Sequence, residues 1–443
     1  MAPDDIALAP LLERASNAAT RRQHYESAIE YLQKAIDIYH ARGDLASWGL
    51  CVSELCFPLT AVGRTRESLE LCERAFEVVG EHETRVRAKL ALAIASVLGH
   101  GTEVERAVEW CEIALRLAEE LDDDAILAGA LGTRSLALFT MGRHREAVML
   151  ARGMASIADG AGELAEQARS RTGLSLYMLP DNPRGMVDVA HEAVELARKA
   201  GIRGLEITNM LNITETSLYI GLWDEALAMI EELHQRELGR RQAEWLAGLE
   251  AVFAALGGDS TRASELLALG SDMGDTSLGS LTTRLTTVAF VALANGKLDD
   301  ALREANRAVE LDPMGINCAA ALGIAARAAL WMGNLDELRG VLMAMHRVRG
   351  RAMAAERRTA EAGIAALEGR VAESAEIYVD AIERWRSVES VLDLALCELD
   401  LALVLGKEHE EATTAKEALD IFEQIGARVF VQRLSEIIDT ATD

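Results

Sequence analysis

The stretch "GKLDDALREANRAVELDP", from Gly296 to Pro313, places small and helix-breaking residues at fixed intervals. Its glycine opens the stretch, alanines stand at positions 301 and 308, and the proline closes it. Glycine readily adopts the left-handed conformation of a tight turn, and a residue before proline leaves the helical conformation. Alanine lets two helices approach closely. The stretch therefore predicts a turn, a helix with two points of close packing, and a stop.

Similar stretches recur along the chain, and each begins with a glycine. These turn glycines are Gly63, Gly142, Gly221, Gly258, Gly333, Gly369 and Gly406. With Gly296 included, the spacing from Gly221 onward is 36 to 38 residues; earlier the period loosens to about 40 residues, with less regular turns near Gly101 and Asp181. A helix-length apolar segment precedes each glycine and a second helix follows it, which predicts a helical hairpin. One hairpin cannot bury its own apolar face, so the hairpins must stack.

The pattern resembles the tetratricopeptide repeat. In the Gly296 unit, the packing positions of the first helix are Leu285, Val288, Ala289 and Ala292. Small residues repeat parts of the pattern at Ala28, Ala35, Ala147, Ala226 and Ala263, whereas Met186 and Leu338 stand where a small residue is expected. The resemblance implies an all-α fold, a right-handed α-solenoid of about eleven hairpins with a C-terminal capping helix.

Length and composition agree with such a stack. The chain has 443 residues, more than the roughly 250–300 that a single core usually reaches. Half of the residues are hydrophobic but only 4% are aromatic, a balance that favours helix over sheet. We predict one solenoid over 1–443, with looser repeats over 5–201, regular repeats over 202–425 and a closing helix over 427–440.

The net charge, the apolar stretches and the cysteines indicate which ligands and which cellular location to expect. A net charge of −26 argues against direct nucleic-acid binding, because an anionic polymer would be repelled. The longest apolar stretch is interrupted by Arg327 and is too short to span a membrane. The first ten residues do not follow the signal-peptide pattern. None of the six cysteines forms a C-x-x-C motif. We expect reduced, buried cysteines and a cytoplasmic location.

The sequence offers no catalytic or metal-binding pattern. The two Gly-Lys pairs, at Gly296 and Gly406, lack the rest of a phosphate-binding loop. The nine histidines are scattered, and the acidic run from Glu119 to Asp124 lacks the alternating ligands of a calcium loop. We therefore expect neither enzymatic activity nor a cofactor or metal.

In the tetratricopeptide register, the first helices of the hairpins face a concave groove. The groove positions that we assign to a ligand are Asn209, Asn212, Glu215, Tyr219, Trp245, Thr286, Phe290 and Arg327, with Asp393 and Asp400 on the same wall. The amides would hold a peptide backbone and Arg327 a carboxylate, although the amides can equally serve hydrogen bonds between helices. Glycines at 129, 132, 248 and 323 indicate close approach by a packed neighbour or by a ligand.

A basic patch stands out in this acidic chain. It lies in "HRVRGRAMAAERR" and comprises Arg347, Arg349, Arg351, Arg357 and Arg358. These arginines either balance neighbouring glutamates or dock an acidic partner, which is another protein or an acidic part of the same chain.

The runs "LAPLLERASNAATRRQHYESAIEYLQKAIDIYHARGD" and "AKEALDIFEQIGARVFVQRLSEII" are similar to repeat regions of large actinobacterial-type regulators. Those proteins carry a STAND ATPase or a nucleotide cyclase, and some carry a LuxR-type DNA-binding domain. We expect a non-enzymatic module that binds a protein or peptide and has a regulatory or scaffold role in a bacterial cytoplasm. The alternative is the sensor portion of an ATP-dependent transcription regulator or class III nucleotide cyclase, with the catalytic and DNA-binding domains outside this chain. The oligomeric state is left open.

Overall fold

The computed structural model describes residues 4–99, 103–272, 278–313, 317–405 and 412–442. These residues form 23 α-helices and no strand, and 85% of the chain is helical. The helices are α1 (Asp4–Arg21), α2 (Tyr25–Ala41), α3 (Leu45–Ala61), α4 (Thr65–Val78), α5 (Thr84–Gly99), α6 (Val104–Leu121), α7 (Asp124–Thr140), α8 (His144–Ala161), α9 (Leu164–Met178), α10 (Pro183–Ala200), α11 (Arg203–Ile220), α12 (Trp223–His234), α13 (Arg240–Leu256), α14 (Ser260–Asp272), α15 (Leu278–Ala294), α16 (Leu298–Leu311), α17 (Cys318–Trp331), α18 (Leu335–Met345), α19 (Arg351–Leu367), α20 (Val371–Val388), α21 (Val391–Leu405), α22 (Ala412–Gln424) and α23 (Arg428–Thr442).

These helices confirm the all-α class and the stack of hairpins. Consecutive helices pack in pairs, for example α1 with α2, α7 with α8, α15 with α16, and α19 with α20. The 23 helices correspond to the eleven expected hairpins and one closing helix, α23. In the part of the chain that the structure describes, no helix combines the length and the apolarity that a membrane span requires.

The turn at Gly296 shows what a turn glycine does in a hairpin. Gly296 has φ +72°, and its N–H donates to the Leu293 carbonyl at 3.0 Å. The next residue, Lys297, donates its N–H to the Ala292 carbonyl at 2.9 Å. This pair of bonds is the Schellman ending of a helix, in which a left-handed residue satisfies the last carbonyls.

The other turn glycines behave in the same way. Positive φ is found at Gly63, Gly142, Gly221, Gly258, Gly333 and Gly369, whereas Gly406 lies outside the described residues. The predicted turns are therefore confirmed at all described positions.

Helix α16 confirms the predicted packing points. Ala301 is 0% exposed and Ala308 is 2% exposed, so both meet neighbouring helices directly. The helix ends at Leu311, and Asp312, the residue before proline, has an extended ψ of 78°. Where larger residues replace the small one, at Met186 and Leu338, the side chain is also buried.

The chain divides into two compact units. The first comprises Met1–Tyr177 and Val189–Asn209, and the second comprises Met178–Asp188 and Met210–Asp443. In the first unit α3 packs on α5 and α5 on α7; in the second, α13, α15, α17, α19 and α21 stack in order. The first helices of successive hairpins thus form one layer within each unit. The boundaries predicted for looser and regular repeats stay a prediction.

The inner face of the second unit is filled by its own helices. Helix α17 contacts α21, which is two hairpins further along the chain, and α23 contacts both α13 and α21. One apolar cluster accordingly joins Leu218, Phe290, Leu322, Leu399 and Phe430, each at most 6% exposed. The layer of first helices in this unit therefore encloses a core.

The close approach at Ala301 leads to a stability prediction. We expect Ala301→Leu to lower the free energy of unfolding by about 1–3 kcal/mol, because added atoms at a fully buried contact force helices apart. The measurement is urea unfolding followed by circular dichroism. The matched control is Ala320→Leu, at an exposed site on α17. Equal midpoints for both variants would contradict close packing at Ala301.

Candidate functional site

Of the eight predicted groove residues, Asn209 belongs to the first unit and the other seven to the second. Asn209 is fully buried, and its Nδ2 donates at 2.8 Å both to Thr172 Oγ1 on α9 and to the Leu205 carbonyl on its own helix. Its amide therefore joins two helices, as the alternative interpretation held.

Five of the remaining residues keep partial exposure. They are Asn212, Glu215, Tyr219, Trp245 and Thr286. Glu215 accepts a hydrogen bond from Trp245 Nε1 at 3.0 Å, which joins α11 to α13. Thr286 Oγ1 donates to a carbonyl of its own helix at 2.9 Å. Phe290 is 6% exposed and belongs to the core. The role of these five partly exposed residues in ligand binding stays a prediction.

Arg327 lies inside the second unit, contrary to the expectation that it offers a free cation. It is 4% exposed, and its Nε donates to Asp400 Oδ2 at 2.9 Å. Trp331 Nε1 donates to the other carboxylate oxygen of Asp400 at 2.6 Å. Glu356 Oε1 lies 3.6 Å from Arg327 Nη2. The layer of first helices brings α17, α19 and α21 together, so an internal carboxylate takes the place that we had assigned to a ligand.

Burial governs the protonation of this ionic centre, which we define as Arg327, Glu356, Asp393 and Asp400. Burial raises the pKa of Glu356 to about 7, although Arg327 opposes the shift. Burial likewise raises the pKa of Asp393 and of Asp400. Burial acts to lower the pKa of Arg327, but Asp400 and Glu356 outweigh it and raise that pKa, so the guanidinium stays charged.

The helical glycines are explained by packed neighbours. A Cβ at Gly323 would stand 3.3 Å from the Glu356 carboxyl carbon, and a Cβ at Gly129 would stand 2.8 Å from a Leu92 methyl carbon. Both distances are shorter than ordinary van der Waals contact, so a side chain on the neighbouring helix packs closely against each glycine. Of the two interpretations given for the glycines, packing is supported.

Of the five arginines of the basic patch, Arg358 pairs with Glu361 and Asp380, and the other four form two groups. Arg351 and Arg357 bind backbone carbonyls: Arg351 Nη2 donates to Ser387 at 2.8 Å, and Arg357 Nη1 donates to Met345 and Val348 at 3.2 and 2.9 Å. Arg347 and Arg349 are exposed, and neither has an ion pair with a carboxylate of the described residues. Balance by neighbouring glutamates therefore does not account for these four arginines.

An open cleft of about 300 Å³ adjoins the patch, between α19 and α20. Its lining is Ala354, Arg357, Arg358, Glu361, Asp380 and Arg384. Asp380 accepts from Arg358 Nε at 2.6 Å and from Arg384 Nε at 2.9 Å, and Arg358 also bonds Glu361. Partial burial and the nearby cations Arg349 and Arg384 lower the pKa of Arg357. The cleft therefore has a positive local potential within an acidic protein.

An acidic side chain of the same chain also reaches the patch. Asp181 Oδ1 accepts the Arg351 N–H at 2.8 Å, and the Pro180 carbonyl accepts the Ala352 N–H at 3.1 Å. Both partners belong to the second unit. This contact caps the first turn of α19 and leaves Arg347 and Arg349 uncovered.

Sequence reasoning missed several residues of these two regions. Glu356 belongs to the ionic centre, Trp331 donates a hydrogen bond to its Asp400, and Arg384 and Asp380 belong to the cleft. Arg384 lies on α20, the second helix of the hairpin that contains Arg357. The predicted pairing of these two helices could therefore have indicated that Arg384 lies near the patch. No local sequence pattern predicts the contact between Trp331 and Asp400, which are 69 residues apart in the chain.

The turn glycines, buried alanines and paired helices resemble those of tetratricopeptide-type repeats. No protein-family model matches the sequence, and no curated protein matches it significantly.

Solved structures resemble the chain in part. The Cut9 and Hcn1 hetero-tetramer of the APC/C has a TM-score of 0.45 at 13% identity, over 98% of this chain and 87% of that chain. A tetratricopeptide repeat protein from Parabacteroides merdae has a TM-score of 0.39 at 16% identity, over 63% and 99%. A STAND protein with a tetratricopeptide repeat sensor from Pyrococcus horikoshii has a TM-score of 0.41 at 12% identity, over 76% and 47%.

The burial of Arg327 predicts that its truncation destabilises the fold. We expect Arg327→Met to lower the free energy of unfolding by about 3–5 kcal/mol, because Asp400 would stay buried without its partner. Denaturant unfolding measures the change. The control is Arg339→Met, which breaks surface ion pairs with Glu368 and Asp336 and should cost about 1 kcal/mol or less. A loss at Arg327 as small as the loss at Arg339 would refute the ionic centre.

The raised pKa of Glu356 predicts a pH dependence of stability. An unfolded glutamate loses its proton near pH 4.3, whereas folded Glu356 keeps it to about pH 7. The folded state therefore binds more protons in this interval, and the free energy of unfolding falls as the pH rises through it. Asp393 and Asp400 shift in the same direction.

The test compares urea midpoints between about pH 5 and pH 8. Glu356→Gln cannot titrate, so the midpoint should fall less with pH than in the native chain. Glu383→Gln, an exposed change on α20, should follow the native curve. Parallel curves for Glu356→Gln and the native chain would contradict the assignment.

Proposed function

We propose that this chain is a protein- or peptide-binding module with a regulatory or scaffold role in a bacterial cytoplasm. Its docking surface is the basic patch together with the cleft between α19 and α20, and its ligand is an acidic peptide segment of a partner protein. The observation that carries the proposal is the pair of exposed arginines, Arg347 and Arg349, which form no ion pair with a carboxylate in the described part of the chain and lie beside an arginine-lined cleft.

Charge complementarity selects the ligand. The chain carries a net charge of −26, so an acidic partner is repelled by most of its surface and attracted at this one region. Exposed cations at the rim act mainly on the rate of encounter and on its salt dependence. Arg347 and Arg349 have the exposure that this role requires.

The cleft supplies fixed donors for a carboxylate. Arg357 is held by two backbone carbonyls, and Arg358 and Arg384 converge on Asp380. Arginines that are already positioned lose little side-chain freedom when a ligand arrives, and each guanidinium presents a fork that suits a carboxylate. The cleft would therefore receive one acidic side chain while the exposed arginines contact the next ones.

The regulatory or scaffold role rests on the similarity of the terminal runs to the repeat regions of bacterial regulators. The same similarity and the six buried, free cysteines support the proposed bacterial cytoplasmic setting.

The test is the binding of a fluorescein-labelled oligoglutamate peptide by anisotropy and stopped flow at increasing salt. Arg347→Glu with Arg349→Glu should slow association about tenfold at low salt and flatten the salt dependence, because the steering charges are reversed. These two positions are preferred over Arg351 and Arg358, which also hold the fold together.

The matched control is Arg145→Glu with Arg152→Glu, two exposed arginines of α8 that change the total charge by the same amount. It should leave the association rate nearly unchanged. If both double variants slowed association equally, total charge alone would explain the effect, and the proposal would be overturned. Tighter binding of a single-stranded oligonucleotide than of the peptide would also overturn it.

A further inference from the structure

Two cysteines of the first unit lie in contact through their sulfur atoms. All six cysteines of the chain are buried and free. Cys56 on α3 and Cys72 on α4 stand with their Sγ atoms 3.5 Å apart. A disulfide bond is about 2.05 Å long, so the sulfurs need to approach by about 1.5 Å. These two helices form the second hairpin, on either side of the turn at Gly63.

We propose that Cys56 and Cys72 form a redox-active dithiol, which a small two-electron oxidant such as hydrogen peroxide converts to a disulfide between α3 and α4. This modification site is independent of the proposed docking surface, which lies in the second unit.

The hydrogen bonds around the pair give the two sulfurs different roles. Cys56 Sγ lies 2.8 Å from Ser68 Oγ and accepts from the Cys72 thiol. These two bonds lower the pKa of Cys56, whereas the bond to Cys56 and burial raise the pKa of Cys72. The thiolate is the nucleophile in thiol oxidation. Cys56 is therefore the attacking residue, and Cys72 is the resolving residue.

The chemistry balances with peroxide alone. The Cys56 thiolate attacks one peroxide oxygen, the O–O bond breaks, and the departing hydroxide takes up the proton that Cys56 has lost, giving water and a sulfenic acid. The Cys72 sulfur then attacks the Cys56 sulfur, the S–O bond breaks, and the leaving hydroxide takes the Cys72 proton as a second water. The two cysteines lose two electrons, which reduce the peroxide.

The local helix structure provides a route for the oxidant. Cys56 is 4% exposed, so peroxide reaches it when the end of α3 opens. Pro58 lies inside α3, two residues after Cys56. Proline has no N–H, so the helical bond to the Glu54 carbonyl is missing and the last turn opens at lower cost.

The disulfide would change the packing of the hairpin. The Cys56 thiol lies 3.7 Å from the Ala93 carbonyl on α5, and the Cys72 thiol lies 3.8 Å from the Val52 carbonyl on α3. Oxidation removes both thiol protons, so Cys56 no longer donates to the Ala93 carbonyl, and a covalent link joins α3 to α4. The disulfide would thus stiffen the hairpin of α3 and α4, and it would remove the hydrogen bond from Cys56 to Ala93 in the next hairpin.

The experiment treats the full chain with hydrogen peroxide, stops the reaction with an alkylating reagent in denaturant, and maps the peptides by mass spectrometry. We expect one linked peptide pair containing Cys56 and Cys72, reversible by dithiothreitol. Cys51, Cys111, Cys318 and Cys397 should be recovered as alkylated thiols. Because the folded chain holds the two sulfurs in contact, the link should form about tenfold faster than in urea.

Two variants separate the roles. Cys72→Ser should stop at a sulfenic acid on Cys56, which a dimedone probe captures, whereas Cys56→Ser should leave Cys72 a thiol. Should either variant fail to fold, the native chain still decides through its peptide map. Oxidation of another cysteine before this pair, or equal rates of linkage in buffer and in urea, would overturn the proposal.

Discussion

The constraint on which the fold depends is the short distance between helices at the alanine positions. Ala301 and Ala308 are buried completely or nearly so, so each must match a neighbouring helix surface without space for a larger side chain. The left-handed glycine at Gly296 sets the angle between the two helices that meet there. The turn directs the second helix back along the first, and the alanines determine how closely they pack. Repetition of this pair of conditions produces the stack.

In the second unit, the same stacking has an electrostatic consequence. Because α17, α19 and α21 approach one another, Arg327 and three acidic side chains are enclosed among apolar residues. Burial of several carboxylates around one guanidinium is costly unless they are paired or protonated. The raised pKa values of the acids express that cost. The inner face of this unit therefore serves its cohesion, and the chain presents its cationic surface elsewhere, at the turn between α18 and α19.

Sequence reasoning succeeded where a structural requirement is local and repeated. Turn glycines and packing alanines recur along the chain, so the helical class, the number of hairpins and most turn positions could be predicted. It failed for Arg327, because the position of a residue on a helix gives its face but not what covers that face. Asp400 lies 73 residues away and contacts Arg327 only when two hairpins are stacked in register. Two of the three cleft arginines were predicted, because Arg357 and Arg358 are adjacent in the basic stretch of the sequence. Arg384 lies 26 residues further along and was missed.

The ionic link between α17 and α21 also bears on how such a chain can evolve. Open repeat arrays gain and lose units by duplication and deletion, because each unit contacts only its neighbours. Here one complete hairpin, α19 with α20, stands between the helices that carry Arg327 and Asp400. Insertion or removal of a hairpin at that place would separate the arginine from its aspartate and leave a buried charge alone. The contact between Arg327 and Asp400 therefore ties the number of hairpins between α17 and α21 to the stability of the second unit.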